Sequence, residues 1–99
     1  MINKHDVIDV IGTKGDKVVL IITEGRKWED IDNYTIKTLV KINNYKSYTE
    51  SEEFRKKYKN KKIEIILDSQ YEPPKIIKKM LNDEKVILSI NHSYLKKSS

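Results

Sequence analysis

The chain has 99 residues, which suits one domain over 1–99 with a single modest core and frayed ends at 1–5 and 93–99. The absence of cysteine excludes a disulfide framework, a thiolate nucleophile and a zinc–cysteine site. No apolar run approaches the roughly 18 residues of a membrane helix. Met1 to Asp6 also lacks the basic and apolar regions of a signal peptide, so the expected compartment is the cytoplasm.

The net charge of +5 raises the question of an anionic partner. Eighteen of the 20 basic residues are lysine, and only Arg26 and Arg55 are arginine. Bidentate reading of phosphate or guanine favours arginine, whereas lysine is a solvated point charge. With 15 isoleucines and 7 asparagines, part of this basicity fits an AT-rich coding sequence. The net charge is −2 over residues 1–34, +6 over 35–62 and +1 over 63–99, so an anion-binding face belongs to the middle segment.

In chain order, Val7 to Ile11 and Lys17 to Thr23 are two β-rich runs joined by Gly12 to Asp16, the pattern of a β-hairpin. Glu24 to Glu29 is a loop. Asp30 or Asp32 then caps an amphipathic helix from about residue 31 to 47, because a carboxylate accepts free N–H groups of the first turn. Ile31, Tyr34, Thr38, Ile42, Tyr45 and Thr49 form its buried stripe, with Leu39 and Tyr48 at the margins. Ile36 and Val40 point away from that stripe, as random exposure or as the seed of a contact surface.

Thr49-Glu50-Ser51-Glu52 has capping-box spacing and predicts a short second helix. Its acids come first and its bases last, with Glu52/Lys56 and Glu53/Lys57 at i,i+4 spacing. Phe54 and Tyr58 anchor it to the core. Ile63 to Asp68 is a uniformly apolar, central strand. Pro74 opens a third helix whose face is Ile76, Ile77, Met80 and Leu81. Val86 to Ile90 is the fourth strand.

The predicted order is β-β-α-α-β-α-β, an α+β (or small α/β) fold with a mixed four-stranded sheet and helices on one face. The last strand–helix–strand unit is a right-handed parallel crossover.

No motif commits the chain to catalysis. His5 and His92 lie at opposite ends with no ligand spacing, so no metal site is expected. Gly12-Thr-Lys-Gly15 joins two strands and lacks the Lys-Ser/Thr of a phosphate loop. Asp6/Asp9 and Glu29/Asp30/Asp32 are acidic pairs that also serve to cap helices and flank strands. No elbow motif or base accompanies a serine or threonine. The expectation is no catalytic residue, no metal and no cofactor.

Two surfaces carry binding readings. Arg26, Trp28, Ile36 and Val40 are candidate partner contacts, although Trp28 equally suits a plug over the sheet's edge. Lys56, Lys57, Lys59, Lys61 and Lys62, with Lys41 and Lys46 nearby and Tyr45, Tyr48 and Tyr58 interleaved, are candidate anion contacts. A solvated charged face is the alternative for that segment.

Val7 to Gly12, Val18-Val-Leu20, Trp28-Glu-Asp30, Lys41-Ile-Asn-Asn-Tyr45 and Tyr71-Glu-Pro-Pro74 together resemble an uncharacterised family of small bacterial domains of unknown function. The resemblance spans nearly the whole chain and implies a bacterial cytosolic protein, with no catalytic residues to transfer. This chain departs from the family in its apolar Leu39 and Val40, a shorter final helix and a basic charge balance. The functional expectation is a non-enzymatic module that binds another protein or a second copy of itself, for example a toxin-neutralising or regulatory partner. The alternative is an accessory nucleic-acid binder using the lysine-rich middle.

Overall fold

The structure is a computed structural model that describes residues 10–93. Seven elements follow one another: β1 (Val10–Lys14), β2 (Lys17–Glu24), α1 (Ile31–Glu50), α2 (Glu52–Lys57), β3 (Lys62–Ser69), α3 (Lys75–Asp83) and β4 (Ile87–Ile90). They form a four-stranded sheet in the order β1-β2-β3-β4, with β1 antiparallel to β2 and the other two pairings parallel. This is the mixed sheet and element order that the sequence predicts, with β3 in a central position.

The first strand runs further along than Ile11, while the turn falls at Gly15-Asp16, where the sequence offers its positive-φ residue. Gly12, Thr13 and Lys14 are strand residues paired with Val19, Val18 and Lys17. The turn is the two-residue Gly15-Asp16, with Gly15 at φ +61, a conformation that glycine adopts without a Cβ penalty. Val7 to Asp9, the start of the predicted first strand, lie outside the described residues.

Asp30 caps α1 by accepting a hydrogen bond from the Asn33 N–H. The helix runs three residues beyond the predicted end and stops at Ser51, which is extended at ψ 151. That one residue closes α1 and opens α2. Its N–H and its hydroxyl both donate to the Tyr48 carbonyl, and its Oγ accepts from the Phe54 N–H. The predicted capping residue Thr49 instead donates its hydroxyl to Lys46 O within α1. The cap moves two residues because a serine in extended backbone can serve both helix ends, whereas Thr49 lies inside the last turn. The expected Glu52/Lys56 and Glu53/Lys57 ion pairs are not made, and the Lys57 ammonium lies over the Tyr58 ring, 5.6 Å from its centroid.

Strand alternation places Leu20 and Ile22 of β2 beside Ile65 and Leu67 of β3 on one face, where they meet Ile42 and Tyr45 of α1 and Ile77 and Leu81 of α3. The helices therefore cover one face of the sheet. Ile21 and Ile66, of opposite parity, are buried as well, which explains the continuous apolar run Ile65 to Leu67 in β3. Tyr45 fixes α1 against β2 by donating its hydroxyl to Ile21 O at 3.2 Å.

Two side chains depart from the predicted pattern. Ile76, assigned to the buried face of α3, is 59% exposed, because Ile77 and Leu81 take the inward positions and Met80 packs at their margin. Lys41, counted with the basic middle, is fully buried, its ammonium 5.5 Å from the centre of the Tyr45 ring. It is no part of an exposed anion-binding face.

Leu67, fully buried at the centre of the core, gives the fold its first test. Leu67→Ala is expected to cost about 2–5 kcal/mol in urea unfolding. Thr38 presents the opposite case, since its buried Oγ1 has no hydrogen-bond partner among the described residues. Thr38→Val should leave stability unchanged or raise it by about 1 kcal/mol, because an unsatisfied hydroxyl is replaced by a methyl of similar volume.

Candidate functional site

The helical period of α1 sorts its residues into two faces. Thr38, Lys41, Ile42 and Tyr45 are buried against the sheet. On the far side Asn33, Ile36, Val40, Asn43 and Ser47 are exposed, at spacings of three and four that stack them in one stripe. Ile36 is 64% exposed and Val40 38%. None of the five is charged, in a chain whose residues are 35% charged. At 1.5 Å per residue the stripe is about 21 Å long. Spacing of this kind, with apolar and asparagine side chains and no charge, is what a helix presents to another helix.

The loop before α1 packs against the other, core-facing side of the helix. Trp28 meets Tyr34 of the first turn edge-to-face, with ring centroids 5.6 Å apart. Its indole body packs against the core cluster, and its Nε1–H donates to Ser69 Oγ at 3.0 Å and to Tyr71 O at 3.3 Å. Trp28 thus ties the loop to the end of β3. Arg26 is exposed beside it, its backbone N–H held by the buried Glu24 carboxylate at 2.9 Å. The structure does not bring the four candidate partner contacts together: Trp28 packs on Tyr34 and the core, on the sheet side of α1, whereas Ile36 and Val40 lie on its outer stripe.

The candidate anion contacts lie at the other end of the sheet. Lys56, Lys57 and Lys59 are exposed on and after α2, and Lys62 starts β3. Lys61 donates from Nζ to Gly15 O at 3.0 Å, and the Lys62 N–H donates to Asp16 O at 2.8 Å, so both are tied to the hairpin turn. The eight residues from Lys62 to Ser69 extend over about 23 Å of strand, which separates this region from the Trp28 end. Lys46, named with this segment, pairs with Glu84 at 2.7 Å.

A third constellation was not foreseen. The Asp68 carboxylate, 3% exposed, accepts from Ser89 Oγ at 2.9 Å and from the His92 N–H at 2.8 Å, and its other oxygen meets His92 Nδ1 at 2.5 Å. The Ser89 hydroxyl and the His92 imidazole thus share one buried carboxylate. It clamps a turn in which Asn91 and His92 both take positive φ. Nothing in the sequence marks it, because Asp68 and His92 meet only through the parallel pairing of β3 with β4. Among the described residues no three His, Asp or Glu side chains converge as a metal site would require.

Residues 1–97 match the sequence model of a Family of unknown function (DUF6572). The chain belongs to that family. No curated protein and no solved structure matches it. Family membership therefore brings no activity, and the site must be argued from its own geometry. Among the described residues no helix is long and apolar enough to cross a membrane.

In sequence, the stripe on α1 was half visible. Ile36 and Val40 stand out as apolar residues on the polar side, whereas Asn33, Asn43 and Ser47 signal only by lacking charge.

The Trp28 tie predicts that Trp28→Phe, which keeps an aromatic ring but removes the N–H, destabilises the fold by about 1–3 kcal/mol in urea unfolding. The loop after β3 offers a pH test. Lys78 donates to Glu72 at 2.8 Å, and that hydrogen bond first, with the Coulombic attraction second, holds the Glu72 carboxyl below its ordinary value. A lowered folded-state pKa stabilises the native state above the ordinary glutamate range, and the contribution fades as pH falls through the folded value. An NMR titration should place Glu72 below a reference glutamate, and Lys78→Gln should return it upward.

Proposed function

We propose that the chain is a non-enzymatic protein-binding module of the cytoplasm that docks a helix of its partner along the outer stripe of α1. The observation that carries this reading is the uncharged, heptad-spaced row Asn33, Ile36, Val40, Asn43 and Ser47, exposed along one side of a 20-residue helix. Charge depletion around a small apolar centre is the compositional mark of an interface core. The first partner to test is a second copy, since a two-fold axis would set this stripe against itself with asparagine facing asparagine or an aliphatic neighbour. A stripe this short supports a weak or transient contact.

Light scattering after size exclusion, over a concentration series, reads the self-associating form directly. The expected result is a mass that rises toward two chains with concentration and falls back to one in Ile36→Asp/Val40→Asp. Both positions are exposed, so the variant should melt within about 1 kcal/mol of the parent. Unchanged association and unchanged partner capture in the folded variant would remove α1 as the contact surface.

One observation favours a second reading, an accessory nucleic-acid binder. Among the described residues Arg55, Lys56 and Lys59 have no ion-pair partner, whereas Lys17, Lys46 and Lys78 each have a glutamate. That reading requires affinity for an oligonucleotide to fall by orders of magnitude between low and physiological salt. An absorbance ratio at 260 and 280 nm across the same size-exclusion peak, run at low and at high salt, tests it.

A further inference from the structure

At the far end of α1 from Trp28, the end of α1, α2 and the start of β3 line an open depression of about 400 Å3. That volume lies within the roughly 300–1,000 Å3 of small-molecule sites. Three features build it. Asn60, at φ +63, reverses the chain after α2. Lys61 Nζ and the Lys62 N–H fasten the returning strand to the carbonyls of Gly15 and Asp16. Phe54, buried between the rings of Tyr48 and Tyr58, gives the depression a rigid floor.

The walls divide by chemistry. Tyr58 and Ile63 supply apolar surface, and Ile63 is 46% exposed although Ile65 and Leu67, on the same face of β3, are buried. Arg55, Lys59 and Lys61 supply three cations against the single carboxylate of Glu50. Among the described residues Arg55 and Lys59 have no carboxylate partner, which leaves their charge to a ligand. Several cations around one point suit a multiply charged anion, and the guanidinium fork fits phosphate oxygens in particular. A tyrosine beside an exposed isoleucine suits a flat ring. The lone Glu50 suits a hydroxyl or amino donor on the same molecule.

We propose that this depression binds a phosphorylated small molecule with a planar ring, of the nucleoside monophosphate class, with the phosphate on Arg55 and Lys59 and the ring against Tyr58 and Ile63. The site is separate from the α1 stripe and does not depend on the protein-binding reading.

The test is an amide NMR titration of the full chain at low salt with adenosine 5′-monophosphate, adenosine, inorganic phosphate and a single-stranded oligonucleotide. The expected result is a saturable shift of Arg55 and of Tyr58 to Ile63 with the monophosphate, and at least about tenfold weaker binding of adenosine or phosphate alone. Arg55→Gln/Lys59→Gln should weaken the monophosphate by at least about tenfold, and Lys56→Gln, outside the depression, should not. Ile63→Asp should block the ring subsite and provides a check independent of the cations. All four positions are exposed, so thermal melts will show the variants folded. Silence at millimolar monophosphate, equal affinity for inorganic phosphate, or indifference to the double substitution would each overturn the proposal. Binding of the oligonucleotide alone would also overturn it, and would make the surface a track for a nucleic-acid backbone.

Discussion

The parallel ladder between β2 and β3 is the constraint on which the rest of the structure depends. It is the longest pairing among the described residues, running from Lys17↔Lys62 to Glu24↔Ser69. Parallel neighbours cannot be joined by a tight turn, so the chain must cross a face of the sheet between them. Here the crossing is α1 and α2, and its length fixes both ends of the molecule. At one end Trp28 must reach Ser69 to close the loop over the strands. At the other, the α2–β3 turn must settle against the hairpin at Gly15 and Asp16. The register also sets Lys17 beside Lys62, a repulsion offset by the Lys17–Glu64 pair at 3.4 Å on the same face.

A single long helix crossing a small sheet has consequences for its other side. α1 spends one stripe on the core, and most of its remaining surface faces solvent. A purely solubilising face would carry charges, as α2 does at both ends. Instead the outer row of α1 is neutral over four turns, while Asp32 and Glu50 stand at its two ends. The charge of the segment is displaced into α2 and the following turn. That separation of a neutral helix face from a cationic end is a property of the folded molecule, and net charge alone does not express it.

Periodicity made the elements and the core legible, because apolar side chains with a period of two or 3.6 can be buried only in one way. Leu20, Ile22, Ile42, Leu67 and Leu81 all lie where that pattern puts them. What failed was local and involved competition between equivalent residues. Thr49 and Ser51 both suit a cap, and the extended backbone at Ser51 decides between them. Ile76 and Ile77 compete for one inward position at the start of α3. Lys41 was misplaced for a different reason, since a lysine reads as exposed until its aliphatic stem and a neighbouring ring bring it inside. The Asp68 clamp is a product of strand pairing and leaves no trace in local sequence.

The lysine-rich middle can now be divided by what each residue does for the fold. Arg55, Lys56 and Lys57 end α2 and complement its dipole, so the helix accounts for their sign even without a ligand. Lys61 and Lys62 hold the hairpin turn, Lys46 pairs with Glu84, and Lys41 is interior. Lys59 is left over. It lies beyond the helix, takes no carboxylate and borders the depression, so neither helix electrostatics nor packing explains its charge. An AT-rich coding bias would place a lysine there at no cost, whereas a phosphate site requires a cation at that rim. The two explanations diverge on arginine, because Lys59→Arg preserves charge and improves the phosphate fork. A bias alone predicts no change in ligand affinity, whereas a site predicts that affinity is kept or gained with arginine and lost with glutamine.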